Sequence, residues 1–202
     1  MEEILKNNEG IIVGHIMEDM SGYKVKDKTF YAGRLRVERP TKKIDYIPFT
    51  ISENLVKESD LDLLTTQKVA FKGELHSQQK LVSHKLRFEY TFKVNSVEKV
   101  TDDKQNNNIS LVGHLCRSPL FETTLSGNHL CRLLLAVPRG EDEQIDYIHL
   151  NLWNGRADFA ESLDLKIGSQ IRILGRIEKL NEDIFLKVSC GKIFADKTQD
   201  ID

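Results

Sequence analysis

Residues 145–153, Ile-Asp-Tyr-Ile-His-Leu-Asn-Leu-Trp, alternate between apolar and polar positions. On an extended chain Ile148, Leu150 and Leu152 share one face, and Tyr147, His149, Asn151 and Trp153 share the other. Period-two patterning of this kind covers 109–116, 130–138, 145–153, 169–177 and 184–194, which predicts five strands. Turn chemistry such as Ser126-Gly127 and Asn181-Glu182-Asp183 separates them. One stretch departs from the period: Ala157, Ala160, Leu163 and Leu165 recur at helical spacing and stop near Gly168. Three strands, a helix and two strands in about a hundred residues is the pattern of a five-stranded Greek-key barrel, the OB-fold.

The first half of the chain repeats this plan about a hundred residues earlier. Val13-Gly14-His15 answers Val112-Gly113-His114, Ile44-Asp45-Tyr46-Ile47 answers Ile145-Asp146-Tyr147-Ile148, and Gly73 in VAFKGEL answers Gly175 in IRILGRI. The blocks keep their order while their offset drifts by a few residues, which places small insertions in loops. Beyond Gly73 the register changes: Phe92-Lys93-Val94 answers Leu186-Lys187-Val188, so the first copy has a longer hairpin, from Leu75 to Tyr90. Leu55 to Leu64 is the matching helical stretch. TDDKQNNN at 101–108 has no apolar residue and reads as a linker. The expected organisation is therefore all-β with one short helix per domain: two tandem OB-fold barrels, 1–100 and 109–195, followed by a short acidic tail at 196–202.

Charge narrows the function. Twenty-nine basic and 31 acidic residues leave a net charge of −2, which argues against polyelectrolyte-style nucleic-acid binding and requires any such site to be local. No apolar run approaches the roughly 20 residues of a membrane span, and MEEILKNNEG has neither a basic nor an apolar signal region. Three cysteines without a CxxC pair fit a reducing, cytoplasmic setting.

Local chemistry gathers on the outer face of the second and third strands of each copy. In the first copy Ile47, Phe49 and Ile51 point inward, while Tyr46, Pro48, Thr50 and Ser52 point outward; Leu35 and Val37 point inward, Arg34 and Arg36 outward. In the second copy Leu133, Leu135 and Val137 point inward and Arg132 outward. Exposed rings cost hydration, and single-stranded bases are natural partners for them, with cations beside them for phosphate. The candidate nucleic-acid contacts are Tyr147, Trp153, Tyr46, Asn151, His149, Arg132, Arg34, Arg36, Arg172 and Arg176, with Lys42 and Lys43 in the turn before the third strand. Phe88 and Tyr90 share parity with Phe92 and Val94 and are expected to cover core. Cys116, Cys131 and Cys190 read as small core residues, with Cys116 and Cys131 as candidate cross-strand neighbours.

The second copy resembles the bacterial single-stranded-DNA-binding protein (SSB) family. The resemblance rests on an ordered set: V-G-x-L at 112–115, Arg117 and Pro119 in an R-x-P turn, Ser126-Gly127, and L-A-V-x-R from Leu135 to Arg139. Asp146-Tyr147, Trp153, and Lys166, Gly168 and Ser169 as K-x-G-S complete it. It implies base stacking on the residues at Tyr147 and Trp153, roles in replication, recombination or repair, and a homodimer that would bring four OB domains together. The first copy departs from it, with Ser52 in place of Trp153 and no R-x-P turn, so the two sites are expected to be unequal. The end, ADKTQDID, lacks the family's Pro-Phe tip for recruiting other proteins.

No constellation indicates an enzyme: GxxxxGK and HExxH are absent, and acidic residues are dispersed. His15 and His114 are equivalent but have no partners at ligand spacing, so neither a metal nor another cofactor is expected. The expected function is single-stranded DNA binding with little sequence preference, with single-stranded RNA as a further candidate partner. The alternative is an OB-fold adaptor that docks proteins of a replication, primosome or conjugation complex.

Overall fold

The computed structural model describes residues 7–18, 20–62, 67–82, 84–100, 107–139, 144–179 and 186–195. Most of the expected linker, the Asn181-Glu182-Asp183 turn, the end of the first helical stretch and the acidic tail lie outside the described residues, as does the side chain of Cys190. The chain divides into two compact units, one centred on Glu9–Asn108 and the other on Ile109–Ile177 with the strand that follows.

In the first unit the elements run β1 (Asn8–Ile16), β2 (Ser21–Val25), β3 (Lys28–Glu38), β4 (Ile44–Ser52), α1 (Glu53–Glu58), β5 (Lys68–Val82) and β6 (Lys85–Lys99). The strand order is β2-β3-β4-β6-β5-β1, and β1 pairs back onto β3, which closes a five-stranded barrel with β2 as an outlying edge. β4 and β6 are parallel, and the other described pairings of this barrel are antiparallel. The second unit repeats the plan with β7 (Asn107–Leu115), β8 (Leu120–Thr123), β9 (His129–Pro138), β10 (Ile145–Trp153), α2 (Gly155–Ser162), β11 (Gln170–Lys179) and β12 (Leu186–Ala195). Here β7 closes onto β9, and β10 runs parallel to β12. Both units are OB-folds. Neither helix is long and apolar enough to cross a membrane.

Alternation accounts for the cores. Leu35, Ile47, Phe49, Ile51, Phe71 and Phe92 fill the first barrel, with Phe49 and Phe71 meeting edge to face. Leu133, Leu135, Ile148, Leu150, Leu152 and Ile173 fill the second. Tyr90 is buried with Phe92 and Val94, while Phe88, further out on the long β5–β6 hairpin, is only half-buried.

Several details differ from the sequence pattern. Phe92 pairs with Phe49 and Val188 with Leu150, so Phe92 answers Val188 rather than Leu186. A register shift beside Gly73, which lets β6 carry an extra residue, hides this from simple alignment. β7 starts at Asn107, inside the polar stretch, because ladder bonds use backbone groups and do not depend on apolar side chains. β2 and β8 carry too little apolar alternation to register as strands. Cys131 is buried, but Cys116 lies opposite Leu134, so the two are not neighbours.

The repeated Val-Gly-His block marks barrel closure. At Gly14 and Gly113 the first strand of each barrel passes from one partner strand to the other. A Cβ at Gly14 would sit 2.4 Å from the Arg36 carbonyl oxygen, and one at Gly113 would sit 2.1 Å from that of Ala136. Neither backbone contact can yield without opening the barrel.

The repeated Ile-Asp-Tyr-Ile block conceals a second device. Asp45 and Asp146 share parity with the core residues and are fully buried. Each is gripped by the arginine that follows the preceding strand. Arg39 Nε and a terminal nitrogen donate to the two Asp45 oxygens at 2.6 Å each, and Arg139 does the same to Asp146 at 2.8 and 2.6 Å. The bond to Asp45 raises the Arg39 pKa above its ordinary value, against the opposing effect of burial. Backbone bonds from Arg39 N to Lys43 O and from Arg139 N to Gln144 O tie the same hairpin ends.

Three outcomes are expected. Asp146→Ala leaves the half-buried Arg139 guanidinium without its carboxylate and opens a gap at a fully buried position, and should destabilise the protein by about 2–4 kcal/mol in urea unfolding. Gly113→Val should cost about 1–3 kcal/mol or more, because its side chain meets backbone rather than a flexible neighbour. Burial pushes the Cys131 thiol pKa up to about 12, so it stays almost wholly protonated near neutral pH. Peptide mapping after brief iodoacetamide treatment of the folded protein should find Cys131 unmodified, with modification appearing on unfolding.

Candidate nucleic-acid interface

Because Asp45 and Asp146 turn inward, the next residue on each strand turns outward. Tyr46 and Tyr147 stand at equivalent places on the two barrels, each 37% exposed. In the first unit register pairing lays out a row of Lys68 on β5, His15 on β1, Arg36 on β3 and Tyr46 on β4. Arg34 comes from two residues earlier on β3 and holds its guanidinium carbon 5.9 Å from the centre of the Tyr46 ring. That is a cation–π contact, worth about 0.5–1 kcal/mol at an exposed site. Base stacking, at about 1–3 kcal/mol, can compete with it. Lys42 and Lys43 are exposed in the adjoining turn; Lys42 pairs with Glu38 at 3.1 Å, a solvent-screened contact that a phosphate can replace.

The equivalent row in the second unit is Gln170, His114, Ala136 and Tyr147. Positions that carry Arg34 and Arg36 in the first barrel hold Leu134 and Ala136 here. Arg132 instead answers Ala32, and Glu122 on β8 pairs with it at 2.5 Å. His149 is half-buried beside Leu134. Asn151 is a correction to the pattern: on outward parity, it is only 2% exposed. It is paired with Arg132 on β9 and Ser189 on β12.

Trp153 ends β10 opposite Leu130 and is half-buried. Its counterpart Ser52 serves the following helix instead, since its Oγ accepts the Leu55 backbone N–H at 3.2 Å and caps α1. Asn154, at the start of α2, makes no such bond to its own helix and accepts from His129 N instead. Arg172 and Arg176 are exposed on β11, which is not adjacent to the Tyr147 strand β10 but separated from it by β12 on one side and by β7 and β9 on the other.

The first unit thus concentrates cations around its tyrosine, and the second keeps the large indole. The pattern of the sequence did not show that the strand-two arginines occupy non-equivalent places; the strand register does. Arg39 and Arg139 were also invisible as structural residues, although the V-x-R spacing before both Asp-Tyr blocks carried the signal. Among the described residues no group of three or more His, Cys, Asp or Glu could hold a metal ion.

Comparison with known proteins adds to this geometry. The single-stranded DNA binding protein from Thermus aquaticus aligns at a TM-score of 0.75 with 18% identity, covering 94% of this chain and 93% of that one. A deletion mutant of the same protein aligns at 0.72 with 18% identity and 94% coverage of both chains. These likenesses show the fold over both units. No curated protein matches the sequence. Residues 106–183 match the family described as the Single-strand binding protein family. That match spans the closing glycine, the Arg–Asp fork and the exposed Tyr147, so the second domain is similar to the single-strand binding protein family in the segment that builds this face.

Proposed function

We propose that this protein binds single-stranded DNA with little sequence preference, each barrel presenting a stacking ring on the outer face of its third strand. The observation that carries this reading is the repeated placement of Tyr46 and Tyr147 beside a buried, clamped aspartate, in a chain whose second domain matches the single-strand binding family. Bases stack on Tyr147, Trp153 and Tyr46. Arg34, Arg36, Lys42 and Lys43 track phosphate on the first barrel, with Arg172 and Arg176 further round the second. Stacking is indifferent to base identity because every base offers a π face. Protection of single strands during replication, recombination or repair follows from such binding, and a homodimer would supply four barrels to one strand. Single-stranded RNA shares the same rings and phosphates and is a second ligand to test.

The test is a titration with a fluorescent oligo-dT of several tens of nucleotides at low and moderate salt, with tryptophan emission followed in parallel. Trp153 is the only tryptophan, so its emission reports the second barrel. Binding should quench it and should weaken with salt by a log–log slope of about −0.7 for each phosphate neutralised. Trp153→Ala should cost about 1–3 kcal/mol of affinity. Arg34→Gln with Arg36→Gln should flatten the salt slope and leave the quenching in place. No binding even at low salt would overturn the proposal and favour the adaptor reading, in which the same outer faces dock a protein.

A further inference from the structure

The first barrel lacks an aromatic residue at the end of its third strand, because Ser52 caps α1 there. The neighbouring strands fill the same end of the same face. Phe30 on β3 lies directly opposite Ser52, and Tyr23 on β2 lies directly opposite Phe30. Their rings stack with centroids 5.8 Å apart and planes 23° from parallel. Residues directly opposed across strands share a face, so Tyr23 and Phe30 face the same way as Arg34, Arg36 and Tyr46. Along β3 this face reads Lys28, Phe30, Ala32, Arg34, Arg36. From Phe30 to Arg36 it extends roughly 20 Å at about 3.3 Å per residue.

The surroundings of the pair are those of a ligand site rather than a core. All five residues of β2 are exposed, and β2 pairs with β3 alone, so the hairpin projects beyond the closed barrel. Tyr23 is 40% exposed on it. Lys28 lies on the same face as the pair and Lys26 in the adjoining turn, with Lys24 on the opposite face of β2, and the hairpin carries a single acid, Asp27. In a chain of net charge −2 this is a concentrated local positive field. The corresponding β8–β9 hairpin of the second barrel has no lysine, and its Glu122 engages Arg132. Rings interleaved with cations are the combination that holds single strands, the rings taking bases and the cations phosphate.

We infer that the β2–β3 hairpin of the first barrel is a second stacking site for a single strand, with Tyr23 and Phe30 replacing the ring that the second barrel carries at Trp153. The strand runs from Tyr46 past Arg36 and Arg34 to the Tyr23–Phe30 pair, and Lys26 and Lys28 hold phosphate at the hairpin. This path deepens the proposed function and rests on it.

The test places a reporter in the hairpin of the full-length chain. Trp153→Phe removes the native fluorophore while keeping a ring, and Tyr23→Trp then introduces the only indole. Labelled oligo-dT is titrated in, and oligonucleotide anisotropy and indole emission are recorded together. The expected result is quenching that follows the anisotropy rise. A Tyr23→Ala variant of the otherwise unaltered chain should bind about tenfold more weakly. Lys26→Gln with Lys28→Gln should reduce the salt slope by about 1.4. Rising anisotropy with unchanged indole emission would overturn the hairpin site and leave the proposed function standing. Flat anisotropy with the unaltered protein would overturn both. Should Tyr23→Ala disturb the hairpin itself, a shifted thermal unfolding midpoint will reveal it, and the Tyr23→Trp emission then decides.

Discussion

A buried aspartate gripped by an arginine fork fixes each of the two barrels. A carboxylate sealed from water is tolerable only when paired and hydrogen-bonded, and the two parallel N–H donors of a guanidinium meet both of its oxygens. Asp45 and Asp146 sit on core parity at the start of the third strand, and Arg39 and Arg139 reach them from the end of the second. The pairing sets strand register at the hairpin end. With period-two alternation, that register decides which way the following tyrosine points. A slip of one residue would bury the ring and expose the core row. The presentation of Tyr46 and Tyr147 to solvent is therefore a consequence of an interaction that touches no ligand.

Closure of each barrel is a second constraint of the same kind. Gly14 and Gly113 allow the first strand to press its backbone against a carbonyl of the neighbouring strand as it changes partners. On this common frame the outward positions of the two units differ in ways that matter for a ligand. The first carries Arg34 and Arg36 where the second has Leu134 and Ala136, and the second carries Trp153 where the first caps a helix with Ser52. Charge and ring area are thus divided between the barrels. A chain with almost no net charge still presents concentrated positive charge this way, because the field is local and screened within roughly 10 Å at ordinary salt.

The third strands show how far alternation reaches. It assigned Ile148, Leu150 and Leu152 to the core and Tyr147 to the surface, because side-chain direction along a strand is dictated by the backbone itself. It also put Asn151 on the outer face, where the structure nevertheless buries it. Parity gives a face but says nothing about what lies over that face. The same blindness affected Arg132, whose partner Glu122 arrives from a short strand with no apolar alternation to announce it.

What the amino-acid sequence determined by itself is whatever depends on local backbone geometry and on recurrence. That includes the strands with apolar alternation, though not β2 or β8, the helical stretches, the internal repeat, the long first-unit hairpin and the outward tyrosines. Tertiary structure alone decided the properties that arise when distant segments meet. Those are the Arg–Asp forks, the carbonyl contacts that demand Gly14 and Gly113, the Phe92–Val188 equivalence, and the stacking of Tyr23 on Phe30 across a hairpin. The physical reason is that alternation is a property of one strand, whereas register, burial and charge pairing belong to pairs of strands and exist only once the barrel has closed.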